Sequence, residues 1–132
     1  MNKDIYFGMQ SELSVLEFLK IDYPDIQKTE PSSHPYDFVT TVDNQVTYFE
    51  LKTRRCNSFT YPDTMIGYNK ILYAKKYPDK NYVFLFKFCD GLFKHHFNPN
   101  KEYTVRKGGR YDRARPEISN YAYIPITELI GI

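Results

Sequence analysis

Two strand-like runs, Tyr36 to Val42 and Val46 to Thr53, are separated only by Asp43-Asn44-Gln45. So short a polar break between extended runs predicts a β-hairpin. Side chains alternate between the faces of a strand, so Glu50 and Lys52 point one way and Phe49 and Leu51 the other. The apolar pair can then anchor the strand in a core while the charged pair faces a cleft. Antiparallel pairing returns the end of the second strand to the start of the first. With the turn centred near Asn44, Asp37 falls roughly opposite Leu51 or Lys52, and its carboxylate comes within a metal's reach of Glu50.

The rest of the chain supplies elements to pack against this hairpin. Ser11 to Lys20 reads as a helix, with Leu13, Val15, Leu16 and Leu19 on one arc. Glu12 lies in the middle of that arc, where a carboxylate either meets a cation, metal or donor or turns to solvent at the helix start. Tyr23-Pro24-Asp25 closes the helix, and Thr29 to Pro35 is a loop. After a second loop, Cys56 to Pro62, Asp63 or Thr64 caps a helix that runs to about Tyr77, with Ile66, Lys70, Tyr73 and Tyr77 on one face. Tyr82 to Phe88 and Leu92 to Phe97 read as strands around Asp90-Gly91. Glu102 to Arg106 and Tyr121 to Ile126 are shorter strands, and Thr127 caps a final helical turn. The order predicts one α/β (α+β) domain over 1–132, built on a central mixed β-sheet of about four to five strands flanked by helices.

Composition matters here mainly through where charge falls. The net charge is only +2, but Lys52, Arg54 and Arg55 follow Glu50 closely. Arg106, Lys107, Arg110, Arg113 and Arg115 crowd around Gly108-Gly109, a loop suited to a phosphate backbone or simply to water. No apolar run approaches the ~20 residues of a membrane span, and the N-terminal Met1-Asn2-Lys3-Asp4 lacks a signal-peptide core. Cys56 and Cys89 have no metal-type spacing, which makes an intracellular, cytoplasmic setting the expectation. His95-His96 sit on opposite faces of a strand, so at most one joins any site; a structural or solvent role suits both.

Asp37, Glu50 and the backbone carbonyl of Leu51 form a hard oxygen set suited to magnesium or manganese. Such a metal activates water and polarises a phosphate. Lys52, on the same face as Glu50, can orient the nucleophile and neutralise charge on the phosphorane. Glu12 could serve a second metal or a water. The plainer alternative is a set of surface ion pairs on an amphipathic hairpin.

In this order, a helix bearing Glu12, Asp37 on a strand, Glu50-Leu51-Lys52 on the next and a helix bearing Asn69-Lys70 resemble the PD-(D/E)XK nuclease superfamily, specifically its resolvase-like branch. The resemblance spans about Gly8 to Phe97 and leaves 98–132 as a basic extension. It implies a restriction endonuclease-like fold and metal-dependent phosphodiester hydrolysis. Asp37 and Glu50 would then ligate the metal, Lys52 would be the catalytic lysine, and Glu12 the auxiliary acid. Lys70 would approach the site or the DNA backbone. Tyr36 separates Pro35 from Asp37, where many members have adjacent Pro-Asp. The expected function is a magnesium-dependent endodeoxyribonuclease acting on branched or otherwise structured DNA, with RNA left open. Arg54, Arg55, Lys70 and the later basic cluster would contact DNA. The rival readings are an exonuclease, a non-catalytic nucleic-acid-binding module that keeps the fold, and an interaction protein. A homodimer with two active sites suits so small a chain.

Overall fold

The computed structural model describes residues 12–30, 34–110 and 117–132. Helix α1 (12–19) is followed by strands β1 (Gln27–Lys28), β2 (Phe38–Val42), β3 (Gln45–Thr53) and β4 (Asp63–Gly67). Helix α2 (Tyr68–Lys76) then leads to β5 (Asn81–Phe88), β6 (Gly91–His96), β7 (Thr104–Arg110) and β8 (Glu117–Pro125). A 3-10 turn (Ile126–Glu128) and β9 (Ile130–Gly131) complete the order. Thr127 lies within that turn; Pro125 precedes it and no side chain caps it. No helix among the described residues is long and apolar enough to cross a membrane.

The hairpin is formed by β2 and β3, with Val42 opposite Gln45. Asp43 and Asn44 take φ of 52° and 65°, the left-handed backbone that a tight two-residue turn demands and that Asp and Asn tolerate. Gln45 therefore belongs to the strand and not to the turn. Phe38 faces Phe49, so the next step sets Asp37 level with Glu50, one residue short of the expected Leu51 or Lys52. A one-residue slip changes which face a side chain meets, and this register puts the two carboxylates on the same face.

The main sheet has the order β1-β2-β3-β5-β6-β9. Only β3 and β5 pair in parallel, making the sheet mixed. Its outer strands β1 and β9 are two residues long, so β2, β3, β5 and β6 carry the structure. β5 is buried on both faces, as its unbroken apolar sequence from Tyr82 to Phe86 requires. Val83 and Leu85 pack with Phe38, Phe49 and Ile26 against Val15 and Leu19 of α1. Tyr82, Phe84, Phe86 and Phe88 pack on the opposite face with Tyr36, with Ile71 and Ala74 of α2, and with Ile66, Ala122 and Ile124.

A second sheet, β4-β8-β7, revises two expectations. The stretch Asp63–Gly67 was expected to open a helix, but it is a strand. Thr64 and Ile66 are buried while Asp63 and Met65 are not, a period of two, and the strand pairs with Tyr121–Pro125. The helix starts only at Tyr68, after Gly67. The basic Gly-Gly segment was expected to be a loop. Its backbone instead continues β7, with Gly108 opposite Ser119 and Gly109 opposite Ile118. Gly108 is needed for space: a Cβ there would lie 2.8 Å from Tyr123 Oη and 3.3 Å from the Tyr121 ring.

Candidate active site

β3 sends Phe49 into the core beside α1, with Leu51 packed at the edge of that cluster. The intervening residues face α2, and Glu50 is only 4% exposed. Such burial costs a carboxylate dearly unless charge compensates it. Two lysines do so in part: Lys70 Nζ from α2 stands 3.1 Å from Glu50 Oε2, and Lys52 Nζ stands 3.7 Å from Oε1. The Lys70 contact is an ion pair, and among the described residues Oε2 is buried with no further donor. Burial raises the Glu50 pKa to about 7, helped by the negative charge of Asp37, and the two lysines only partly oppose this.

Asp37 is fixed by the backbone it approaches. Its N–H donates to Phe49 O at 2.9 Å, and its Oδ2 accepts the Leu51 N–H at 2.7 Å. Phe49 and Leu51 thus turn their peptide groups toward this edge, and strand alternation directs the Leu51 carbonyl to the Asp37 side as well. Burial raises the Asp37 pKa; the Leu51 N–H and the lysines pull it back, and Glu12 adds to the rise. Thr29 braces the approach, its N–H on Asp37 O at 2.9 Å and its hydroxyl on Tyr36 O.

Glu12, Asp37, Glu50 and Lys70 line one cleft of about 390 Å³, together with Lys28, His34 and Tyr36. Glu12 reaches this cleft from α1, but its carboxylate pairs with Lys28 Nζ at 2.9 Å. Among the described residues, no three His, Cys, Asp or Glu side chains converge as a metal cluster. With Glu12 held by Lys28, the donor set is Asp37, Glu50, itself paired with Lys70, and the Leu51 carbonyl. The chemistry of that set still fits a hard divalent cation: all donors are oxygen, Glu50 Oε2 has no neighbour but the Lys70 ammonium to satisfy it among the described residues, and burial raises the pKa of both acids.

Sequence patterning missed the groups that hold Lys70. Its ammonium also donates to Pro35 O, lies 5.6 Å from the Tyr36 ring centroid, and its carbonyl accepts Tyr36 Oη–H at 2.8 Å. His34 Nδ1 accepts the Tyr36 N–H at 3.1 Å, leaving Nε2 to meet Tyr73 Oη at 3.0 Å. Burial lowers the His34 pKa, which keeps this bracket neutral. Only the proximity of Pro35 and Tyr36 to Asp37 in sequence hints at these roles.

The family model described as "Phage putative PDDEXK endonuclease" matches residues 9–130. The chain belongs to that family. Its mixed sheet between helices is the α/β architecture of the PD-(D/E)XK superfamily, related to the restriction endonuclease-like fold. No curated protein and no solved structure matches the chain.

Against this PD-(D/E)XK frame the expected DNA contacts are in different situations. Arg54 is largely buried and its guanidinium donates to Met65 O, tying the two sheets together; Arg55 is exposed. Arg106 pairs with Asp63 at 3.2 Å and covers the Tyr123 ring at 3.9 Å. Lys107 is exposed on β7. Arg110 lies on β7 by its backbone, and Arg113 and Arg115 lie outside the described residues. His95 is buried between Glu128 O and Tyr103 Oη, at 3.1 and 2.9 Å, while His96 is exposed.

Proposed function

We propose that this chain is a divalent-metal-dependent endodeoxyribonuclease. The observation that carries the reading is the convergence of Asp37 and Glu50 at one end of the hairpin, with Lys52 next on the same face and Leu51 bonded to Asp37. Family membership adds independent support. Asp37, Glu50 and the Leu51 carbonyl would hold magnesium or manganese. Such an ion, when bound, lowers the pKa of water and polarises a phosphate.

The protein's own groups perform the rest. Lys52, partly exposed and 3.7 Å from Glu50, orients the attacking water and offsets negative charge on the phosphorane. The water oxygen bonds to phosphorus as the bond to one ester oxygen breaks. A proton leaves the water and one reaches the departing oxygen. Lys70 holds Glu50 in place from α2. Exposed cations, with Lys107 and Arg55 foremost, provide a DNA backbone surface.

The test is incubation of purified protein with linear, nicked, flapped and four-way DNA, in magnesium or in EDTA. Magnesium-dependent cuts within a strand support the reading. Tight DNA binding with no cleavage under either condition would assign the chain to the non-catalytic module instead.

A further inference from the structure

The loop between β3 and β4 carries the most exposed aromatic side chains among the described residues, Phe59 at 75% and Tyr61 at 63%. They do not sit on a loose tip. Cys56 O accepts the Cys89 N–H at 2.9 Å, and Pro62 O accepts the Ile126 N–H at 3.0 Å. Between those anchors, the Ser58 N–H and hydroxyl donate to the two Asp90 carboxylate oxygens at 2.7 and 2.6 Å. The Thr60 N–H donates to Asn57 O at 3.1 Å. Ser58 itself is buried. The backbone is thus pinned on both sides of Phe59 while the ring is held out in water, at a cost in apolar hydration.

The same loop walls a pocket of about 340 Å³, at the small end of the ~300–1,000 Å³ range of ligand sites. Cys56, Pro62, Met65, Phe88, Tyr123 and Ile126 give it apolar walls; Tyr61 lines it, whereas Phe59 does not. Its polar members are largely spent inside the chain. Arg54 donates to Met65 O, Ser58 to Asp90, and Asp63 pairs with Arg106. A projecting ring and an apolar pocket therefore belong to one short segment.

We propose that this surface is the contact of a two-fold homodimer, in which Phe59 of each copy enters the pocket of the other. A two-fold contact needs one patch that carries both members of each pair, and this loop supplies the ring and the pocket together. A nucleic-acid backbone has no apolar group to place in such a pocket. The two side chains expose roughly 250–300 Å² per copy, taking ~200 Å² for a whole aromatic residue. That is about a third of the ~800 Å² that each partner buries in a stable interface. The dimer is accordingly weak, in the micromolar range, with the rings as its anchors. The pocket shares no lining residue with the acidic cleft. Neither DNA nor metal enters the contact, so it stands or falls apart from the nuclease reading.

The experiment is sedimentation equilibrium in EDTA, without DNA, over a series spanning the micromolar range. Wild type should pass from monomer to dimer. Phe59→Asp, and Tyr61→Ser as a second variant, change exposed side chains and should keep the melting temperature of dilute wild type. Phe59→Asp should weaken the dimer at least tenfold. The pocket is read separately through Cys56, which lines it, in a Cys89→Ser background. The Cys56 thiol should react with Ellman's reagent more slowly where the dimer forms than on dilution, and Phe59→Asp should erase that difference. A wild type that stays monomeric throughout overturns the proposal, as does a dimer that folded Phe59→Asp and Tyr61→Ser leave unchanged. A Cys56 rate that is the same in monomer and dimer overturns the insertion of the ring into the pocket.

Discussion

Lys70 Nζ and Glu50 Oε2 stand 3.1 Å apart at the inner end of the acidic cleft, with both side chains largely withdrawn from water. The lysine supplies positive charge at the oxygen a metal would use. Replacing it with an isosteric apolar residue, Lys70→Met, leaves the buried carboxylate short of a counter-charge. Metal-free protein should melt at a lower temperature, by less near neutral pH, where Glu50 with a pKa of about 7 can take up a proton, than above it. Magnesium should raise the melting temperature of Lys70→Met more than that of wild type, and calorimetry should show tighter metal binding. Equal magnesium shifts in both proteins would count against competition between ammonium and metal.

Lys52 and Glu12 should separate in their kinetic effects. Lys52 is the partly exposed lysine beside Glu50, so Lys52→Ala should cut turnover about 100-fold or more with little change in metal affinity. Glu12 is already paired with Lys28, and Glu12→Gln should cost less than Lys52→Ala. An inactive Glu12→Gln beside an active Lys52→Ala would invert these roles.

The basic strand β7 should divide into a structural and a binding residue. Arg106 is engaged by Asp63 and Tyr123, so Arg106→Ala should lower stability by about 1 kcal/mol. Lys107 has no ion pair among the described residues. Lys107→Ala should weaken binding equally across DNA sequences and flatten the slope of log affinity against log salt by about 0.9. An unchanged slope would place the backbone contact elsewhere.

The pH dependence follows from Glu50. Its pKa is raised from 4.5 to about 7, chiefly by burial and then by Asp37. The folded state therefore holds an extra proton between those values, and its stability falls as pH rises through that window, by roughly 3 kcal/mol in all. His34 and His95 act in the opposite sense, since burial lowers their pKa values and they must lose a proton to fold near pH 6. The difference between wild type and Glu50→Gln cancels the histidine contributions and leaves Glu50 together with its coupling to Asp37. In EDTA, wild type minus Glu50→Gln should lose stability from pH 5 to 7.5 and level off above. A flat difference would contradict the assignment.

How far sequence reaches is clear from the hairpin. Alternation placed Glu50 and Lys52 on one face, and Asp43-Asn44-Gln45 marked the break, because both follow from local backbone rules. The register was one residue off because membership of Gln45 in β3 depends on left-handed geometry at two residues. The strand Asp63–Gly67 was missed because its pattern is short and its partner lies more than 50 residues away on β8. Gly108-Gly109 resembled a loop because the rings beside Gly108, those of Tyr121 and Tyr123, belong to the neighbouring strand. The Lys28 and Lys70 pairings with Glu12 and Glu50 arise only from packing.

Cleavage by the two carboxylate variants tests the central claim most directly. Supercoiled plasmid and a branched oligonucleotide are incubated with wild type, Asp37→Asn and Glu50→Gln in magnesium, with EDTA controls. Wild type should cut in magnesium alone. Both variants should stay folded, bind DNA at least as tightly because carboxylate–phosphate repulsion falls, and show no cleavage above the EDTA background. Near-normal cleavage by either folded variant would contradict the site.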